Sequence, residues 1–254
     1  MAAAAYGSVD NFIYCLQTLT GSYDVFFDIQ IPCLTNETCT GFMALSLEDK
    51  ALILSFGTSK YAYKQLLNDS GESVFNKRRR SPLGFGSGMV SDDLFSIFYQ
   101  MQLAGITQKT FEMIQFFDGY DLWITGHSIG GAIASIAAAK IASANVIDAK
   151  QIKLVTFGQP RVGNKAWAAA MENADIVADL PHHSFLYYTH FRMEILYFAN
   201  NSTTNSSFLL ENYKVCTSGE DKHCINSTNN FNINDHINYY GKNVAEYGMN
   251  GCHK

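Results

Sequence analysis

Residues 126–130 read Gly-His-Ser-Ile-Gly, a serine held between glycines in the pattern G-x-S-x-G. A hydroxyl is a poor nucleophile until a base takes its proton and a third group orients that base. The pattern suits a sharp strand-to-helix turn with Ser128 at its tip, because glycine tolerates the backbone crowding there. Such a turn also sets the serine beside a helix N-terminus, whose N–H groups and dipole favour developing negative charge. The pattern alone is unspecific, and a glycine-rich turn with an incidental serine would look the same. Its context raises its weight, since Asp121-Leu122-Trp123-Ile124-Thr125 precedes it as a strand and a run of small apolar residues follows it as a helix.

On an α/β sheet carrying this turn the expected chain order is serine, acid, histidine. The histidines after Ser128 are His182, His183, His190, His223, His236 and His253. His223 and His253 adjoin cysteines, and His182 and His183 lie close behind the acids that would have to serve them. His236 and His190 remain, with His236 favoured by its late position ahead of Asn238-Tyr239-Tyr240. Acid candidates are Asp148, Asp175, Asp179, Glu194 and Asp221, with Glu172 behind them. Asp148 reads as a helix-end cap. Asp175 leads into Ile176-Val177 at the mouth of a sheet, and Asp179 competes with it. Asp235 adjoins His236, but neighbouring side chains usually diverge, so it reads as a cap. His182, His183, His190 and Glu194 admit a competing metal reading. The serine chemistry needs neither metal nor cofactor, and none is expected.

The elements that would position these groups follow from apolar spacing. Phe42–Leu47 and Ala51–Phe56, split by Glu48-Asp49-Lys50, predict a strand hairpin. Residues 59–88 predict a long irregular segment with a short helix over Tyr61–Leu67. There Tyr61, Tyr63, Leu66 and Leu67 would either cover a site or form an ordinary solvated loop. Leu94, Ile97, Phe98 and Met101 recur at helical spacing, and Phe111, Ile114 and Phe117 open another helical face; both sets read as plain core. Lys153–Phe157 is a further buried strand, closed by Gly158-Gln159-Pro160. Strand, helix, strand in this order implies parallel pairing and an α/β class. With no repeat and no linker visible, residues 1–254 are expected to form a single domain. The apolar run from Ile129 to Ile147 holds two glycines and Lys140, which suits a buried helix better than a membrane span.

The 254 residues carry a formal net charge of -5, and 47% are hydrophobic. That composition excludes the disordered class. Lys77-Arg78-Arg79-Arg80 is the one basic cluster, so no nucleic-acid partner is expected. Six cysteines fall in two groups, Cys15, Cys33, Cys39 and Cys216, Cys224, Cys252. An even count without any C-x-x-C pair favours disulfides over zinc and implies an oxidising compartment. Glycosylation sequons at Asn36, Asn68, Asn200, Asn201, Asn205 and Asn226 agree with that. Secretion is therefore expected, although Met1-Ala2-Ala3-Ala4-Ala5 has neither the basic start nor the apolar stretch of a signal peptide.

Thr125-Gly126-His127-Ser128-Ile129-Gly130-Gly131-Ala132 together with Leu154-Val155-Thr156-Phe157-Gly158-Gln159-Pro160-Arg161-Val162-Gly163-Asn164 closely resembles the fungal-type, or class 3, lipases, and within them the secreted cysteine-rich members of nematodes. The resemblance runs from Ala2 to Cys252. It implies an α/β-hydrolase fold with a mostly parallel central sheet and helices on both faces. The implied activity is serine-dependent hydrolysis of carboxylic esters, notably acylglycerols, at a lipid–water interface.

Ser128 matches the family's nucleophile. Asp175-Ile176-Val177-Ala178-Asp179-Leu180-Pro181 is similar to its D-I-V-P-H-L-P, which assigns the acid to Asp175. Asp235-His236-Ile237-Asn238-Tyr239-Tyr240 resembles D-H-x-x-Y-F, which assigns the base to His236, and Tyr188–Glu194 resembles a segment that makes His190 structural. Phe56-Gly57-Thr58 resembles F-R-G-T without its arginine, so Thr58 and Ile129 would supply the oxyanion hole. Implied disulfides are Cys15–Cys252, Cys33–Cys39 and Cys216–Cys224. The same resemblance implies that a signal peptide and a short internal segment between Asn164 and Asp175 are missing. It also frames the alternative function, a secreted lipid-binding protein on a catalytically impaired hydrolase scaffold.

Overall fold

The computed structural model describes residues 1–19, 22–62, 78–80, 88–173, 177–179, 188–189, 194–197, 213–216 and 233–253. The strands in chain order are β1 (Asp24–Cys33), β2 (Glu37–Ser46), β3 (Ala51–Thr58), β4 (Arg78–Arg80), β5 (Met89–Ser91), β6 (Asp121–His127), β7 (Ile152–Phe157), β8 (Gly163–Asn164), β9 (Val177–Asp179), β10 (Tyr188–Thr189), β11 (Glu194–Tyr197), β12 (Tyr213–Cys216), β13 (Asn238–Tyr239) and β14 (Lys242–Asn243). The α-helices are α1 (Val9–Gln17), α2 (Asp92–Leu103), α3 (Ile106–Phe116), α4 (Ile129–Ser143), α5 (Lys165–Asn173), α6 (Ile233–Ile237) and α7 (Val244–Met249). A 3₁₀ turn, Ala4–Tyr6, precedes α1.

Six strands form the central sheet in the order β1-β2-β3-β6-β7-β9. The hairpin expected from the sequence is β2–β3, with Met43 opposite Leu54. The pairings β3–β6, β6–β7 and β7–β9 are parallel, whereas β1–β2 and β2–β3 are antiparallel. The sheet is therefore mixed, and its parallel half carries the strand–helix–strand unit. Sequence patterning missed β1. It is an edge strand whose residues are mostly half-exposed, and Pro32 near its end is tolerated because only one neighbour needs pairing. A four-stranded sheet, β10-β8-β5-β4, and two two-stranded ladders complete the strands.

Alternation along β2 and β3 sends successive side chains to opposite faces. Phe42, Ala44, Ala51 and Ile53 pack with Phe12, Cys15 and Leu16 of α1 and with Ala4 and Ala5. Met43, Leu52, Leu54 and Phe56 join the larger core built on α2, α3 and α4. Helices thus cover both faces, as the α/β class requires. Helix α2 starts where the Ser91 side chain accepts the Leu94 N–H, with Asp92 and Asp93 in its first turn, a favourable match of charge to the helix dipole. Helix α4 is alanine-rich and buried along nearly its whole length against β3, β6 and β7. Small side chains are what allow it so close to the sheet. Among the described residues no helix is long and apolar enough to cross a membrane.

The stretch between Asn164 and Asp175, where the resemblance implied missing chain, is occupied by helix α5. Of the helix expected over Tyr61–Leu67, Tyr61 and Ala62 are described, while Tyr63, Leu66 and Leu67 lie outside the described residues.

Cys15 is bonded to Cys252 and Cys33 to Cys39, which removes these four cysteines from any zinc site. Cys216 is also disulfide-bonded; Cys224, its expected partner, lies outside the described residues. The Cys15–Cys252 bond closes a loop of sequence separation 237, against 6 for Cys33–Cys39. Restricting the unfolded chain is worth about 5 kcal/mol for the first and about 2 kcal/mol for the second in the loop-entropy picture. The double variant Cys15→Ser/Cys252→Ser is accordingly expected to lower the melting temperature more than Cys33→Ser/Cys39→Ser. Calorimetry on the two proteins decides, and equal losses would contradict the loop-length argument.

Candidate active site

Strand β6 ends at His127, and the chain turns at Ser128 into α4. The turn is strained. Ser128 has φ 56° and ψ -124°, a conformation costly for a residue with a side chain and kept only where surroundings over-determine it. Two contacts do so. The Ser128 N–H donates to the Phe157 carbonyl at 2.8 Å, and the α4 N-terminus is pressed against neighbouring backbone. A Cβ added to Gly126 would lie 2.3 Å from the Gly130 carbonyl oxygen, and one added to Gly130 would lie 2.4 Å from that of Phe56. Both glycines of the motif are therefore dictated by close backbone approach rather than by a positive φ.

The parallel register sets Phe56 of β3 opposite Gly126 of β6. Thr58 and Ser128 each lie two positions further on, so the end of β3 and the nucleophile turn leave the sheet side by side. Thr58 is buried, as is Ile129, the first residue of α4. On the other flank, His127 pairs with Phe157 of β7.

His236 arrives on α6 from near the far end of the chain. Its Nε2 lies 3.0 Å from Ser128 Oγ, which is hydrogen-bonding distance. The ring passes so close to Gly158 that a Cβ there would stand 2.9 Å from His236 Nδ1. Ser128 itself is only 1% exposed. Burial lowers the His236 pKa from 6.5 to about 4, since a desolvated imidazolium loses hydration. The ring is therefore neutral at ordinary pH, which is the protonation state a base requires.

A second imidazole lies beneath the first. His127 is buried, and its ring centroid is 5.2 Å from that of His236. Tyr6 Oη lies 2.6 Å from His127 Nδ1, and His127 Nε2 lies 2.8 Å from the His236 carbonyl oxygen. Tyr239 meets His127 and Phe157 edge-on, at 5.7 and 5.5 Å between centroids. Burial first, and the neighbouring His236 second, push the His127 pKa down to about 3. Sequence reasoning passed over Tyr6 and His127. It searched for a base only after the serine, and the sole available signal was the polar residue filling the variable position of G-x-S-x-G.

Of the remaining sequence candidates, Asp175, His182, His183, His190, Asp221 and His223 lie outside the described residues. Asp148 accepts the Lys150 N–H at 3.0 Å and is the cap expected of it. Asp179 closes β9, which runs parallel to β7 with Asp179 opposite Val155. Glu194 opens β11, paired with Cys216. Asn36 is exposed in the β1–β2 turn, whereas Asn68, Asn200, Asn201, Asn205 and Asn226 lie outside the described residues.

Comparison with known proteins bears on the family and the fold. The family signature described as Lipase (class 3) matches residues 53–185, just over half of the chain. A Caenorhabditis elegans protein named Lipase ZK262.3 is 30% identical over 192 residues, covering 57% of this chain and 53% of that protein. A lipase of Rhizomucor miehei is 32% identical over 143 residues, covering 51% of this chain and 37% of that protein. The chain thus spans about half or less of the length of these curated relatives. Among solved structures, lipase II from Rhizopus niveus superposes with a TM-score of 0.77 at 21% identity, covering 95% of this chain and 91% of that one; this establishes the α/β-hydrolase fold.

The burial of His236 has a direct consequence in solution. Its ring is expected to titrate below the ordinary 6.5, toward about 4, when followed by NMR through its imidazole resonances. A midpoint at or above 6.5 would show that the ring is wetter than this geometry allows.

Proposed function

The chain belongs to the class 3 lipase family, and from that premise we propose that it is a serine ester hydrolase acting on acylglycerol lipids. The observation that carries this reading is the 3.0 Å approach of His236 Nε2 to Ser128 Oγ, made across 108 positions of chain. An incidental serine in a glycine-rich turn would have no reason to meet a neutral, half-buried imidazole.

In the proposed reaction His236 takes the Ser128 proton as Oγ attacks the ester carbonyl. The backbone N–H groups of Thr58 and Ile129 hold the oxyanion, aided by the α4 N-terminus. His236 returns the proton to the leaving alcohol, and water then repeats the cycle on the acyl-enzyme. No metal or cofactor takes part. Ser128 is almost wholly buried, and the substrate of this reading is an ester presented at a lipid–water interface. The disulfides Cys15–Cys252 and Cys33–Cys39 support a secreted protein.

Ser128→Ala is expected to lower kcat on an emulsified triglyceride by about 10⁴-fold or more while leaving the circular dichroism spectrum unchanged. The parent protein should react with a fluorophosphonate and the variant should not. An unlabelled parent would instead favour lipid binding on an impaired hydrolase scaffold.

The orienting acid is assigned to Asp175 by its motif. Asp179 competes because β9 runs toward the site end of the sheet. Replacing the true partner by asparagine should cost about 10³- to 10⁴-fold in kcat. It should also move the acid limb of kcat/KM to lower pH, because losing a negative charge disfavours the imidazolium. Asp175→Asn is expected to do both. The same pair of effects in Asp179→Asn alone would transfer the role.

A further inference from the structure

We propose that Tyr6 and His127 are positioning residues for the base, with the Tyr6 hydroxyl fixing the His127 tautomer and His127 clamping the main-chain carbonyl of His236. The proposal rests on the hydrolase reading above.

The hydrogen-bond directions follow from the atoms. A carbonyl oxygen only accepts, so the 2.8 Å contact with the His236 carbonyl requires the proton on His127 Nε2. Burial keeps His127 neutral, so that ring carries one N–H and Nδ1 presents a lone pair. Tyr6 Oη, 2.6 Å away, must then donate to it. The chain runs one way, from the Tyr6 O–H to Nδ1 and from Nε2–H to the His236 carbonyl. His127 is anchored at the end of β6, directly before the nucleophile, so the residue that holds the His236 carbonyl adjoins the one that bears the attacking hydroxyl.

The clamp answers a mechanical problem. His236 sits on a five-residue helix, too short to be stable alone. The ring's reach to Ser128 therefore depends on ties to the body of the fold. Tyr6 is itself well seated, because its 3₁₀ turn packs against the end of β3, where a Cβ on Gly57 would stand 2.4 Å from the Ala5 carbonyl oxygen. On the other side a Cβ on Gly248 would lie 1.7 Å from the Ala3 carbonyl oxygen. Among the described residues, the titratable groups facing His127 are Tyr6, His236 and Tyr239. Lys60 joins them across a cavity of ≈ 20 Å³ lined also by Ile237, Asn243 and Ala245, and it is paired with Glu246 at 2.7 Å.

The test uses the full chain, p-nitrophenyl butyrate as substrate and fluorophosphonate labelling to count competent sites. In His127→Leu, kcat per labelled site should fall about 10- to 100-fold, as a misplaced base demands, with KM within about twofold. Its acid limb should rise toward 6.5 as the loosened His236 ring gains water. His127→Gln keeps an N–H able to reach the carbonyl and should recover most of the loss. Tyr6→Phe, which removes one hydroxyl and little else, should lose about 3- to 10-fold.

If His127→Leu merely lowers the number of labelled sites, with kcat per site and pH profile unchanged, its role is structural and the proposal falls while the hydrolase reading stands. Should that variant fail to fold, unchanged kcat per site in Tyr6→Phe overturns the proposal equally. A parent protein that takes no label overturns both.

Discussion

The contact between His236 Nε2 and Ser128 Oγ, 3.0 Å long, joins two side chains whose backbones have no local reason to meet. One belongs to a buried turn at the end of a central strand, the other to a five-residue helix late in the chain. Bringing them together means closing 108 positions of the chain into a loop, and holding them together means defining two separate backbones to a fraction of an ångström. Much of the architecture serves one or the other of these requirements.

On the serine side the solution is close packing of backbone on backbone. The left-handed twist at Ser128 would relax if its neighbours gave way, and they cannot. In the first turn of helix α4, Gly130 lies against the Phe56 carbonyl while Gly126 passes under the Gly130 carbonyl, and an alanine-rich helix body keeps α4 against three strands. On the histidine side there is little core to lean on. The tie is polar, through His127 and Tyr6, and covalent further out, through Cys15–Cys252. The two halves of the site are thus held by different physics, steric exclusion for one and directed bonds for the other.

Burial shapes the electrostatics of the same place. The two tilted imidazoles, His127 buried and His236 half-buried, both stay neutral, which leaves His236 in the form that can accept a proton and leaves His127 with a single N–H to donate. The cost is basicity, since a desolvated imidazole holds a proton poorly. A carboxylate behind the ring is the group that would restore it, which is why the position of the acid matters more here than in a wetter site.

Periodicity along the chain was enough to reveal the β2–β3 hairpin, the α2 and α3 faces and the strand–helix–strand unit around Ser128, because each is decided by alternation or spacing within a few residues. The serine and its glycines were legible for the same local reason, and His236 emerged by elimination and motif. Strand β1 was not, since an edge strand with one paired neighbour carries a weak alternation signal. Nor were Tyr6 and His127. A tyrosine near the chain start and the variable residue of a five-residue motif acquire a partnership only when the N-terminal turn is folded against β3 and α6 is brought back to the sheet. The sequence by itself determined which side chains have the chemistry; the tertiary structure alone decided which of them touch, because contact between residues more than a hundred positions apart depends on packing, and no local pattern encodes it.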